Sequence, residues 1–141
     1  MTANNEFIDT NILVYAYNAS LPEKQVKAQS LLTTLWSSNN GCLSIQVFQE
    51  FYTVVTRKIP HPLSTEVAAT IIRDYGTWDY HSPEFNDLLQ AIEIQQKYKL
   101  SFWDSLIICS AVQLRCKLIW SEDLNHSQIY EGVTAINPFL S

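Results

Sequence analysis

A chain of 141 residues that is 47% hydrophobic and only 16% charged has the length of a single domain, expected over residues 1–141, and too much apolar content to stay disordered. No apolar run approaches the roughly 20 residues that span a bilayer, and the opening "MTANNEF" has neither a basic region nor an apolar core, so no secretion signal and a cytoplasmic location are expected. A formal net charge of −5 is the wrong sign for a protein that grips nucleic acid with its own basic surface.

Only 3 Gly and 5 Pro punctuate the chain, which predicts dense regular structure. Residues 5–9 read as a short buried strand and about 11–18 as a helix. Pro22 suits the first turn of a second helix that runs to about Ser38, with Val26, Leu31, Leu32 and Leu35 on or near one face. Asn39-Asn40-Gly41 ends it. Cys42-Leu43-Ser44 is a short strand, and Ile45 to Lys58 is an apolar helix closed by Pro60 and Pro62.

Ser64 caps a helix that runs to Tyr75, with Val67, Ile71, Ile72 and Tyr75 on its apolar face and Gly76 as its stop. Trp78-Asp79-Tyr80 reads as a strand. Ser82-Pro83-Glu84 opens a helix with Phe85, Leu88, Leu89 and Ile92 expected inward. Ser101 caps a helix over "FWDSLIICSAVQLR". Lys117 to Trp120 and Val133 to Ile136 close the series as strands. Strands alternating with helices predict an α/β fold with a mostly parallel sheet, whose ligand site lies beyond the carboxyl ends of the strands.

Cys42, Cys109 and Cys116 lack CxxC spacing and sit in apolar surroundings, as reduced buried thiols do, with no zinc site implied. His61, His81 and His126 have no metal-binding spacing and are expected at the surface.

Four of the 14 acidic residues stand where acids fit poorly. Asp9 interrupts "FIDTNILVYA" at the end of the first strand, either as a cap of the next helix or as a chemical group. Glu50 shares a helical face with Val47, Phe51 and Val54, and no Lys or Arg stands four residues away. It is either the edge of that stripe reaching water or a carboxylate that needs a partner. Asp104 follows Ser101 at capping-box spacing, on a helix made apolar by Leu106, Ile107 and Ile108. Asp123 follows a strand in "LIWSEDLN", where it or Ser121 can cap a turn. In an α/β sheet all four can converge on one edge. Clustered carboxylates repel unless a cation compensates, and oxygen-only ligands select a hard ion such as Mg²⁺ or Mn²⁺.

The blocks "FIDTNILVYA", "QVFQEFYTVVTRK", "LSFWDSLIICSA" and "LIWSEDLNHSQIYEGVTAINPF", in this order and spacing, resemble the PIN domain family, and within it the VapC-type toxin ribonucleases of bacterial toxin–antitoxin pairs. The resemblance implies a three-layer α/β fold with a central, mostly parallel sheet flanked by helices. It also implies metal-assisted hydrolysis of RNA phosphodiester bonds with Mg²⁺ or Mn²⁺. It places the family's four acids at Asp9, Glu50, Asp104 and Asp123. Asp9 and Asp104 are expected to be direct ligands, with Glu50 and Asp123 acting through water or orienting the nucleophile. Thr10, Asn11 and Ser121 take supporting roles around them. Two such ions would bring the charge from −5 to −1 (−5 + 4), and Arg57, Lys58, Arg73, Lys97, Lys99, Arg115 and Lys117 are available for local patches.

The resemblance further implies an RNA substrate, a cognate antitoxin that enters the acidic groove, and a homodimer. "LLTTLW" and "FQEFYTVV" supply enough apolar surface for both protein contacts, and core packing is the simpler reading of either stripe. One departure is visible: Ser127 stands where close relatives often carry glycine. Three other readings stay open. They are a PIN-fold binding or regulatory module without catalysis, a nuclease acting on DNA flaps, and a haloacid-dehalogenase-like phosphatase. The last wants an acid two residues after Asp9, where this chain has Asn11.

Overall fold

The computed structural model describes residues 4–140; Met1–Ala3, part of the stretch read for a secretion signal, and Ser141 lie outside them. The elements in chain order are β1 (Glu6–Ile8), α1 (Thr10–Tyr15), α2 (Pro22–Ser38), β2 (Gly41–Ser44), α3 (Ile45–Arg57), α4 (Thr65–Tyr75), β3 (Asp79–His81), α5 (Phe85–Tyr98), α6 (Phe102–Gln113), β4 (Leu118–Trp120), β5 (Ile129–Tyr130) and β6 (Val133–Ile136).

Local chemistry sets most boundaries. Pro22 opens α2, and Asn39 ends it in the left-handed region with φ 60°, a conformation asparagine tolerates. The hydroxyls of Ser44, Ser64 and Ser101 each accept the backbone N–H three residues on, at 3.3, 3.2 and 3.0 Å, and so start α3, α4 and α6. Asp87 reaches back to the Glu84 N–H at 2.8 Å at the head of α5.

The six strands form one sheet in the order β3-β2-β1-β4-β6-β5, parallel except for β5. β2 is buried along its whole length. α6 packs over β2, β4 and β6 with α5 outside it, while α2 and α3 meet β2 and join α1 and α4 in the other helical layer. Two covered faces give the near-continuous apolar strands of a parallel sheet. Leu43, Phe7, Ile8, Phe51, Ile108 and Ile119 are fully buried at its centre. At Gly41 an added Cβ would stand 2.3 Å from the Trp78 ring, so any side chain there would force that ring to move.

The connection pattern fixes the site. From β1 the chain steps outward through β2 and β3, then returns to lay β4 against the other side of β1. A crevice opens where the direction reverses, at the carboxyl ends of β1 and β4. Asp9 and Ser121 follow those two ends, and the register pairs Ile8 with Trp120 just before them.

Three expectations are corrected. Phe85, Leu88, Leu89 and Ile92 do not face inward: all are exposed, Phe85 by 73%. α5 is the outer helix of its layer and rests on α6 through Asp87, Ala91 and Ile94 instead. Val26 and Val67 likewise face solvent. His81 is not a free surface residue; its Nδ1 meets the Ser110 hydroxyl at 2.8 Å and its Nε2 the Asp87 carboxylate at 3.0 Å. An additional strand, β5, pairs with β6 through a tight turn at Glu131-Gly132, both with positive φ, the geometry of a two-residue hairpin.

Leu43→Ala, which empties a fully buried site, is expected to lower the unfolding free energy by about 2–5 kcal/mol. Phe85→Ser should change it by only about 0.5 kcal/mol. Urea titration of both variants measures the contrast, and a large loss in Phe85→Ser would place that face in the core.

Candidate active site

Asp9 serves three contacts at once. Its backbone N–H continues the ladder to the Trp120 carbonyl at 3.0 Å. One carboxylate oxygen accepts the Thr10 N–H at 2.7 Å and caps α1. The other accepts the Ser121 hydroxyl at 2.8 Å, across from the end of β4. The same Ser121 oxygen accepts the N–H groups of Asp123 and Leu124 at 3.1 and 3.3 Å. One hydroxyl therefore ties β1 to the loop that carries Asp123. Capping and site geometry at Asp9 are both present.

Glu50 projects from α3 and is half-buried. Its oxygens accept the Thr10 hydroxyl at 2.6 Å and the Gln46 amide at 3.2 Å. Asn11 donates to Asp123 at 3.1 Å; the position a phosphatase would need as an acid is thus a neutral donor. Asp104 sits in the first turn of α6 beside its cap Ser101. All four acids line one cavity of about 310 Å³, together with Thr10, Asn11, Gln46, Trp103 and Lys58. Ser121 stands behind Asp9 and is fully buried.

The electrostatics follow from burial and crowding. Burial pushes the Asp9 carboxyl up to about 7; the Ser121 and Thr10 bonds oppose that shift, and Asp123 and Asp104 add to it. Asp104 is raised by burial, with Ser101 pulling down and Glu50 pushing up. Asp123 is raised by burial, then by Asp104, Glu122 and Glu50.

Glu122, although next to Asp123, turns away from the cavity. It pairs with Lys24 and accepts the Tyr15 hydroxyl, while Lys24 lies 4.7 Å over the Tyr15 ring and 5.3 Å from that of Phe139. This cluster fastens the Asp123 loop to α1 and α2. Ser127, further along the loop, has φ 70°, in the region that favours glycine.

The sequence pattern of the family described as "PIN domain" matches residues 7–132. The chain belongs to the PIN domain family. Solved structures share the fold at low identity. VapC20 of Mycobacterium tuberculosis, described as a toxin cleaving the sarcin-ricin loop, superposes with a TM-score of 0.66 at 21% identity, over 84% of this chain and 90% of that one. A toxin–antitoxin complex from Klebsiella pneumoniae gives 0.69 at 16% identity, over 96% and 98%. VapBC2 of Rickettsia felis, bound to a DNA fragment from its promoter, gives 0.64 at 15%, over 92% and 96%. No curated protein matches the sequence.

The polar residues of this PIN domain site fit a hydrated divalent cation. The groups that orient Asp9, Glu50 and Asp123 are hydroxyls, amides and backbone N–H groups. They fix direction and cancel no charge, and Lys58 is the one cation in the lining among the described residues. Gln46 Oε1 is buried with no hydrogen-bond partner, a further unmet acceptor. Among the described residues no three His, Cys, Asp or Glu side chains are drawn close enough to hold an ion by themselves.

Gln46 and Trp103 line the cavity and were not expected there from the sequence, and Lys58, expected only in a local basic patch, lines it as well. Gln46 carried a signal, standing one turn before Glu50 on a predicted helix. Trp103 and Lys58 carried none beyond proximity to Asp104 and to the end of α3.

The raised Asp9 carboxyl sets a pH dependence. Below about pH 4 the group is protonated both folded and unfolded. As pH rises towards 7 the unfolded chain loses this proton first, so the folded state binds more protons and stability falls. Above 7 the penalty is constant, a few kcal/mol by order of magnitude. Asp9→Asn, neutral throughout and still able to cap, is expected to melt above wild type at about pH 8 in chelator-treated buffer. The difference should close towards about pH 4. A variant less stable at every pH would mean that the hydrogen bonds to Asp9 outweigh the cost of its charge.

Proposed function

We propose that this PIN domain is a metal-dependent endoribonuclease that hydrolyses RNA phosphodiester bonds with Mg²⁺ or Mn²⁺, and is the toxin of a toxin–antitoxin pair. The observation that carries the reading is the cavity itself: four carboxylates meet at the carboxyl edge of the sheet, oriented by neutral donors and, among the described residues, in no salt bridge with a lysine or arginine.

Bound Mg²⁺ or Mn²⁺ supplies positive charge for the phosphate and lowers the pKa of a coordinated water. The chain's own residues do the rest. Asp9 and Asp104 would hold the ion directly. Glu50 and Asp123 act through water or orient the nucleophile. Thr10 aligns Asp9 through its N–H and Glu50 through its hydroxyl, so one residue sets the relation between two acids. Asn11 and Ser121 do the same for Asp123 and Asp9. Lys58 meets phosphate at the cavity wall.

The antitoxin belongs to the same reading. An apolar trough of about 450 Å³, lined by Ile45, Phe48, Tyr52 and Ile72, runs between α3 and α4. Gln49, Thr53 and Trp103 join it to the acidic cavity. A segment with apolar anchors and a basic end complements both halves. The toxin–antitoxin complexes among the structural neighbours support that partner. For a homodimer, the outward face of α5 is the better surface. "LLTTLW" commits Leu32 and Leu35 to the core. A cytoplasmic, single-domain protein is part of the proposal; among the described residues no helix is long and apolar enough to cross a membrane.

Purified protein incubated with a mixed RNA pool and Mg²⁺ or Mn²⁺ is expected to cleave, and EDTA to abolish cleavage. Asp9→Asn and Asp104→Asn should lose about 100-fold or more, and Ser121→Ala about 10–100-fold, as supporting partners of metal ligands do. Equal cleavage by wild type and the Asp variants would identify a contaminant and overturn the site. RNA binding without cleavage would leave a non-catalytic PIN module. Growth arrest on expression, relieved by a neighbouring gene, tests the toxin role separately.

A further inference from the structure

Trp103 stands in water on purpose-built footing. Its side chain is 59% exposed, while its neighbour Phe102 packs against the core with the two rings edge to face at 5.2 Å. An indole left in solvent forfeits the stabilisation of burial. Its backbone is nevertheless pinned. Gln46 Nε2 donates to the Trp103 carbonyl at 3.2 Å and also to Glu50 at 3.2 Å.

Both amide hydrogens are thereby used, and Gln46 Oε1 is left buried without a partner. Turning the amide over would set that oxygen against two acceptors, so the arrangement is fixed. An orphaned buried acceptor is rare in native proteins. Here it accompanies the contact that holds the Trp103 backbone beside Glu50. The residue lines both the acidic cavity and the trough that leads from it.

Charge explains what such a ring is for. The net charge is −5, and among the described residues Lys58 is the one cation in the cavity lining. The lining itself therefore offers little side-chain charge for phosphate contacts and counterion release. Stacking of a base on an aromatic face needs no charge and tolerates any base.

We propose that Trp103 is a base-stacking residue, which binds an unpaired nucleobase flanking the scissile phosphate and makes the site select unstacked nucleotides over duplex. The proposal rests on the ribonuclease reading above.

The test measures fluorescence anisotropy of a labelled single-stranded oligoadenylate with Mg²⁺, in an Asp9→Asn background that suppresses hydrolysis. Trp103→Ala is expected to weaken binding about tenfold or more, with an unchanged melting temperature, and Trp103→Phe to stay within about threefold. The Trp103→Ala loss should persist as salt is raised, whereas a Lys58→Ala loss should shrink. The same strand annealed to oligouridylate should bind no differently to either protein. Unaltered oligoadenylate binding in Trp103→Ala overturns the stacking role and leaves the nuclease reading standing. If that variant instead loses only the co-expressed antitoxin, Trp103 is a protein contact and the proposal falls. No binding of the strand by any variant overturns the proposal, and the cleavage assay on the mixed RNA pool decides the ribonuclease reading separately.

Discussion

The hydrogen bond from Ser121 to Asp9, 2.8 Å long and fully buried, is the contact on which the site depends. It joins the residues that follow β1 and β4, two strands far apart in sequence but adjacent in the sheet. Parallel pairing places both carboxyl ends at one edge, and the reversal of strand order opens a crevice there. A carboxylate so deeply buried is costly. Its tolerance comes from three fixed features: the Thr10 N–H at the head of α1, the Ser121 hydroxyl, and the rigid ladder beneath them. The Asp123 loop is then hung from the same hydroxyl, so the position of a second acid is set by the partner of the first.

The rest of the site follows one rule: orient without neutralising. Glu50 is held by Thr10 and Gln46, and Asp123 by Asn11. Had arginines filled these roles, the acids would be placed equally well, but their charge would be spent internally. The contrast lies one residue away. Glu122 is neutralised by Lys24 and bonded to Tyr15, and it faces away from the cavity. The same loop thus carries one acid committed to structure and one left available. The sequence "SED" shows both letters and cannot say which is which; the cation 98 residues earlier decides it.

Much of the fold was legible because local signals were strong. Serine caps, Pro22, Asn39-Asn40-Gly41 and short β-branched runs each act through the backbone of a few residues, and those elements lie where such chemistry puts them. α5 was misread for a physical reason. Phe85, Leu88, Leu89 and Ile92 make a regular apolar face, and periodicity reports that a helix is amphipathic without reporting which side has a neighbour. The side that packs uses one large apolar residue, Ile94, beside the small Ala91 and a hydrogen-bonded aspartate. β5 was missed because two residues hold no period and its turn is Glu-Gly. The four acids were legible as misfits, since apolar surroundings make a carboxylate conspicuous. Gln46 was not, because an uncharged amide on a helix is ordinary until its partners are known.

The uncompensated cavity also constrains what can silence it. Any cation that reaches the acids relieves the same repulsion, whether it is a metal ion or a side-chain guanidinium or ammonium. On the proposed reading the two compete for one vacancy of charge. A lone basic side chain at an open, solvated mouth binds weakly. Discrimination therefore has to come from elsewhere, and the apolar trough of Ile45, Phe48, Tyr52 and Ile72 is contiguous with the acids through Gln49, Thr53 and Trp103. Burial in the trough raises the effective concentration of a linked basic group at the acids. An occupant of both halves gains affinity that a free ion or a phosphate chain cannot. Trp103 stands at the junction, where a nucleobase and a protein side chain would claim the same ring.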